Sequence, residues 1–194
     1  MYLKPCWKTQ LPLLFILGLL GSLSFCTWGS QFPDKYDSQI EDAAGKFLPG
    51  VDWRLLKAQY YQESHLKPEA VSPVGAAGVA QFMPGTWADV SKQLGLGNAN
   101  PHMAEPAILA GAYYMSKLRR SWSSPRPESD RHSLALASYN AGFGNLLKAQ
   151  RMCGGGNLYK DIEPCLVRVT GHNSKETETY VRRIWRYWME MMFK

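Results

Sequence analysis

The stretch from Glu63 to Pro84 reads E-S-H-L-K-P-E-A-V-S-P-V-G-A-A-G-V-A-Q-F-M-P, and the rest of the chain is read outward from it. It opens on a glutamate at the end of an amphipathic helical pattern. It then crosses a Ser-Pro turn into a Gly/Ala-rich segment and closes on Gln81-Phe82-Met83-Pro84. Upstream, Trp53, Leu56, Tyr60 and Glu63 are spaced so that they share one helix face. The glutamate therefore lies on the stripe turned toward the core. Loss of water there raises a carboxyl pKa, which is what a general acid near neutral pH needs. The plain alternative is a solvent-facing carboxylate at a fraying helix end. Gly75, Ala76, Ala77 and Gly78 permit close approach of backbone to backbone or to a ligand, or simply tight helix packing. Gln81 is either a substrate clamp or a surface residue.

Asp52 predicts an N-cap for a helix over 53–63. Periodicity returns from about Thr86 to Leu94, with Pro84 ahead of it and Gly95 behind. A stronger helix starts at Glu105-Pro106, with Ile108, Leu109, Ala112, Tyr113, Met115 and Leu118 as its core stripe and Arg119 and Arg120 at its end. Further helices are expected over 130–139, 143–150 and 176–192. Residues 153–174 read as irregular, with room for a short strand pair near Leu166 to Thr170. The expected class is mainly α, a single domain over 50–192.

At 194 residues and 45% apolar content, the chain suits one core plus a terminal extension. Residues 1–26 read as an export signal or membrane anchor: Lys4 and Lys8 precede a nearly continuous apolar run from Leu11 to Leu20. Leu23-Ser24-Phe25-Cys26 imitates a lipoprotein box imperfectly, so cleavage, lipidation and retention as an anchor all stay open. Residues 27–49 read as a linker, with room for one or two helical turns over 39–48 bounded by Pro49-Gly50. An exported chain is expected in the periplasm or cell envelope, with membrane attachment through this segment as one outcome. There, Cys153 and Cys165 are disulfide candidates that would close the excursion carrying Gly154-Gly155-Gly156; two buried free thiols are the alternative. Their spacing does not suit a metal site. The net charge of +6 is spread without a dense basic block, which argues against nucleic acid as a partner and is compatible with an anionic wall polymer.

A glycosidase ordinarily uses two carboxyl groups. Glu63 is the only one inside a constellation of polar residues, since Glu69, Asp89 and Glu105 are better explained as exposed or capping. No Gly-x-Ser-x-Gly or His-Glu-x-x-His motif exists. A lone acid suffices if the nucleophile belongs to the substrate. Glu63 would protonate the leaving glycosidic oxygen and then, as carboxylate, take a proton from a hydroxyl of the same sugar as that hydroxyl closes a ring. The tethered attack gains from proximity. No metal or organic cofactor is called for.

Glu63-Ser64, then Ser72, then Gly75-Ala76-x-Gly78-Val79-x-Gln81-Phe82-Met83-Pro84-x-Thr86, and finally Tyr139-Asn140-Ala141-Gly142 resemble the soluble lytic murein transglycosylase family. The likeness extends over roughly Pro49 to Met192. It implies a lysozyme-like, α-rich fold with a substrate cleft. It also implies cleavage of the β-1,4 bond between N-acetylmuramic acid and N-acetylglucosamine in peptidoglycan glycan strands, leaving 1,6-anhydromuramic ends. By the same resemblance, Glu63 matches the catalytic acid/base and Ser72 a serine that helps position the muramyl sugar. Gln81 and Met83 match cleft-lining residues, and Tyr139 and Asn140 a facing pair whose tyrosine hydroxyl can hydrogen-bond the glutamate. Tyr180 matches a late tyrosine near the active site; a core aromatic is its alternative. Val79 and Phe82 depart from the usual aliphatic residues conservatively, and His65 is unusual beside the glutamate-serine pair.

Two rivals stand beside this reading. One is a hydrolytic muramidase on the same fold; the other is a wall-binding module that has lost activity. Wall turnover, local clearance for secretion or wall-remodelling machinery, and phage-directed lysis are biological settings that the sequence does not separate.

Overall fold

The computed structural model describes residues 32–193, so the expected signal or anchor segment over 1–26 lies outside the described residues. Nine α-helices are found among them: α1 (Asp37–Phe47), α2 (Trp53–Ser64), α3 (Pro84–Leu94), α4 (Ala104–Ser121), α5 (Glu128–Ala141), α6 (Phe143–Met152), α7 (Tyr159–Ile162), α8 (Val167–Thr170) and α9 (Ser174–Met192). Their starts follow local chemistry. The Asp52 carboxylate accepts the Arg54 N–H at 2.9 Å and caps α2. Pro84 occupies the first turn of α3, where its missing N–H costs nothing, and Gly95 ends that helix in the left-handed region.

The helix α5 sits at the centre. Seven successive residues, His132 to Ser138, are buried, so this helix is covered on all sides and shows little amphipathic contrast. It packs against α4, α6 and α9, while α2 packs against α9 and α1. Small residues along α5 and α4 let neighbours come close. At Gly111 a Cβ would lie 2.5 Å from the Tyr60 hydroxyl, and that hydroxyl donates to the Ile108 carbonyl at 2.6 Å. Tyr60 thus locks α2 onto α4 one turn before Glu63.

Two expectations are corrected. The segment read as a linker over 27–49 carries α1, whose Ile40, Ala43 and Ala44 are buried together with Tyr36 and Leu48. Helix α1 packs on α4, and its Asp37 pairs with the buried Lys57 ammonium at 2.6 Å. Among the described residues the compact unit therefore begins before α1, with Phe32 already buried, and not at 50. The strand pair expected near Leu166 is a helical turn instead, α8, within a run of short helices and 3-10 turns. β-Bridge pairing occurs elsewhere, at Val71 with Ala77 and at Ala77 with Phe82, inside the stretch between α2 and α3. Cys153 and Cys165 are joined as a disulfide across this C-terminal excursion.

Candidate active site

Glu63 sits in the last turn of α2, on the face that also carries the buried Leu56 and Tyr60. The helix ends directly after it. His65 and Leu66 both take positive φ, which turns the chain back so that residues 67–83 wrap past the helix end. The residue that fastens this wrap is Ser64. Its hydroxyl donates to the Val79 carbonyl at 2.8 Å and accepts the Lys67 N–H at 3.2 Å. In the sequence Ser64 is only the neighbour of the glutamate; its burial and its tie to Val79 emerge with the fold.

The wrap is a network of backbone bonds. Gly78 donates to the Ala70 carbonyl at 2.9 Å, and Ala77 exchanges both of its bonds with Phe82 at 3.0 and 2.9 Å. Gln81, with φ of 48°, spans the same segment from inside: its amide nitrogen donates to the carbonyls of Gly78 at 2.9 Å and Ala70 at 3.2 Å. This engages the amide nitrogen in holding the segment. Ser72 is likewise used locally, its hydroxyl accepting the Ala76 N–H at 2.9 Å. Met83 stands exposed at the start of α3. Neither Ser72 nor Met83 hydrogen-bonds Glu63.

Two tyrosines approach from the other side. The Tyr139 hydroxyl, expected to bond the glutamate, donates instead to the Ala80 carbonyl at 2.7 Å, so it buttresses the wrap. Phe82 and Tyr114 pack against its ring at centroid distances of 6.4 and 5.3 Å. The tyrosine that bonds the carboxylate is Tyr180 on α9, whose hydroxyl donates to Glu63 Oε1 at 2.5 Å. Tyr180 is buried, so the core position and the contact to Glu63 coexist in one residue. Asn140 lies one position beyond Tyr139; its Oδ1 accepts from the Thr177 hydroxyl at 2.7 Å and its Nδ2 faces Glu176 Oε1 at 3.4 Å. Glu176 was not singled out from the sequence. Its spacing of four from Tyr180 on one helix face was the usable signal.

Electrostatics follow from this packing. Burial raises the Glu63 carboxyl from the ordinary glutamate range to about 8; the Tyr180 hydrogen bond opposes the rise and the nearby Glu176 charge adds to it. Glu63 is thus protonated at neutral pH, yet one edge of the residue still reaches solvent. Burial, and secondarily the Glu63 charge, holds the Tyr139 and Tyr180 hydroxyls well above the usual phenol range, so both remain donors. The arrangement can deliver one proton from Glu63 and then stabilise the carboxylate through Tyr180.

Tyr180→Phe tests that pairing. Removing a donor that favours the carboxylate pushes the Glu63 pKa further up. The alkaline limb of the activity profile, expected near pH 8 from the raised Glu63 pKa, should move to higher pH. The peak rate should fall roughly 10- to 100-fold, the worth of a hydrogen bond to a charged group. An unmoved limb would show that Tyr180 does not act on Glu63.

Residues 41–161 match the family model of the Transglycosylase SLT domain, and the chain belongs to that family. It is 40% identical over 140 residues to membrane-bound lytic murein transglycosylase F 1 of Alkalilimnicola ehrlichii, a match covering 70% of this chain and 26% of the relative. It is 38% identical over 136 residues to membrane-bound lytic murein transglycosylase F of Marinobacter nauticus, with the same coverage. The chain therefore spans about a quarter of the length of these curated relatives. Its fold resembles the 70 kDa soluble lytic transglycosylase of Escherichia coli, with a TM-score of 0.62, 25% identity and coverage of 83% of this chain and 25% of that one. An inactive glutamate-to-glutamine mutant of the lytic transglycosylase Slt from Pseudomonas aeruginosa superposes with a TM-score of 0.62 at 25% identity, covering 81% of this chain and 24% of that one.

Proposed function

We propose that this domain is a peptidoglycan lytic transglycosylase with Glu63 as its single general acid and base. The observation that carries the reading is a carboxyl group protonated near neutral pH, partly open to solvent, with a fixed donor on one oxygen. In the first step Glu63 gives its proton to the glycosidic oxygen between N-acetylmuramic acid and N-acetylglucosamine, and the C1–O bond breaks. In the second, the Glu63 carboxylate takes the proton of the C6 hydroxyl as that oxygen bonds to C1 of the same muramyl residue. The ring closes, Glu63 regains its proton, and no water is consumed. Support comes from family membership and from relatives whose names describe murein transglycosylases.

Within this reading Gln81 and Ser72 shape the wrap that borders the substrate, Met83 offers an exposed apolar contact, and Asn140 orients Glu176 beside the acid. The domain belongs in the cell envelope, delivered by the segment over 1–26, with wall-remodelling or secretion machinery as its setting.

Glu176 gives a second reading its specific footing. It is a carboxylate close enough to Glu63 to raise that group's pKa, and a second carboxylate is what a hydrolytic muramidase uses to activate water. Mass analysis of a purified-glycan digest separates the two, because anhydro and reducing muramic ends differ by one water. The expected product carries anhydro ends; reducing ends throughout would transfer the domain to the hydrolytic class.

A further inference from the structure

The three helices that bring Glu63, Tyr139 and Tyr180 together at one end also meet away from that end, where chemistry at Glu63 uses nothing. A cavity of about 560 Å³ lies there, lined from the start of α2, the start of α5 and the second half of α9. Asp52, in its lining, stands eleven residues before Glu63. At 1.5 Å per residue that is about 16 Å along α2 from the acid. The volume is in the range of sites that take small molecules.

Much of the lining is apolar. Val51 and Leu55 contribute aliphatic surface, and Trp185 and Trp188 contribute a corner of two indoles, 85° apart in plane with centroids separated by 5.4 Å. Both indoles are half-buried. Their N–H groups are committed, to Ser133 Oγ at 3.0 Å and to Asp52 Oδ2 at 3.1 Å. What these fixed rings offer a ligand is therefore their π faces.

Every charge in the lining is paired. Asp52 is held by Arg54 at 2.8 Å, and Glu128 bridges Arg119 at 2.6 Å and Arg131 at 2.9 Å. The Glu128 side chain is 68% exposed, and each of its oxygens keeps a spare lone pair. His132 is neutral, because burial and then the Arg119 charge push its imidazole down to about 3. The Arg119 guanidinium can only donate, and it meets His132 Nδ1 at 3.0 Å, so the ring proton sits on Nε2. That N–H finds no acceptor among the described residues, although His132 is only 2% exposed. The Trp185 ring packs edge-on against the imidazole at 5.8 Å but brings no lone pair. A buried donor in this state is destabilising until something supplies an acceptor.

We infer that this cavity holds an uncharged N-acetylhexosamine residue of the wall glycan, separate from the residues at the bond being cut. A pyranose has apolar C–H faces for the two indoles, hydroxyls that donate to Glu128, and an acetamido carbonyl that accepts from His132 Nε2. An acidic sugar would bring a carboxylate to a lining with no unpaired cation, at a cost in lost hydration. The identity of the polymer rests on the proposed activity. The cavity then gives the domain a second hold on the wall, away from the point of cleavage.

The full chain with Glu63→Gln is titrated with N,N′-diacetylchitobiose while indole N–H and imidazole signals are followed by NMR. Saturating shifts are expected at Trp185, Trp188 and His132, on a curve distinct from that of Trp87, which packs on Phe82 in the wrap around Glu63. Cellobiose, which lacks the acetamido groups, should bind the cavity roughly tenfold more weakly, about 1.4 kcal/mol. Ser129→Trp, on the exposed rim, should weaken the chitobiose response by a similar factor. Shifts confined to Trp87 would overturn the inference, as would equal binding of cellobiose or a response that survives Ser129→Trp. Shifts with benzyl alcohol and none with chitobiose would mark a pocket for apolar ligands and overturn it equally. The comparison of sugars needs no change to the cavity, so the test holds even if Ser129→Trp folds poorly. A wild-type digest without anhydro ends would instead strike the proposed activity and leave these titrations standing, which keeps the two failures apart.

Discussion

Glu63→Gln is expected to lower glycan cleavage by roughly 10³–10⁴-fold while leaving the fold in place. A positioned proton donor contributes on the order of 10²–10⁴ in rate, and in the proposed mechanism one group serves both halves of the reaction, which puts the loss at the upper end. The amide keeps the size of the carboxyl and can still accept from the Tyr180 hydroxyl, so packing at the end of α2 survives. What disappears is the transferable proton. Stability supplies an independent check. The folded-state pKa of Glu63 is raised to about 8 from the ordinary glutamate value. Between the ordinary value and 8 the unfolded chain has already released a proton that the folded chain retains. Wild-type stability must therefore fall as pH rises through that window. The glutamine variant lacks this dependence, so its melting temperature relative to wild type should climb from pH 5 to pH 8. Cleavage within tenfold of wild type would remove Glu63 from the mechanism. A pH-independent difference in melting would contradict the raised pKa.

The parts of the site visible in the sequence are those encoded by local spacing. The stripe of Trp53, Leu56, Tyr60 and Glu63 needs only a helical period; Leu56 and Tyr60 are buried, and Trp53 and Glu63 at its two ends are half-buried. The N-cap at Asp52 and the stop at Gly95 are chemistry of single residues and their neighbours. What local spacing does not encode is which hydroxyl finds which acceptor. Tyr139 and Tyr180 both converge on the region of Glu63, but the crossing of α9 over α2 decides that Tyr180 reaches the carboxylate while Tyr139 reaches Ala80. Helix α1 was obscured for a different reason. Its buried face uses alanines at positions 43 and 44, which contribute little apolar contrast, and glycines and prolines flank it on both sides. Its position is secured by packing on α4, information that lies some sixty residues downstream.

Gly78→Ala is expected to cost on the order of 2–5 kcal/mol of stability and most of the activity with it. Two independent penalties meet at this position. The backbone has φ of 78°, where an L side chain costs about 1–2 kcal/mol. A Cβ would also lie 1.7 Å from the Pro101 carbonyl oxygen and 2.6 Å from its carbon, and overpacking against such atoms costs about 1–3 kcal/mol or more. The obstacle is backbone, so no side chain can swing away. Either the loop between α3 and α4 retreats, breaking the contact of His102 Nδ1 with the Pro68 carbonyl at 2.9 Å, or the wrap around Glu63 shifts. The second response displaces the Val79 and Ala80 carbonyls that receive Ser64 and Tyr139, which couples stability loss to activity loss. Gly75→Ala is the matched control: its φ is 85°, but nothing lies within 4 Å of an added Cβ, so only the torsional penalty applies. Denaturant midpoints of the two variants separate clash from torsion. If Gly78→Ala proves no more destabilising than Gly75→Ala, the close approach of Pro101 is not what demands glycine, and the coupling between that loop and the Glu63 wrap fails with it.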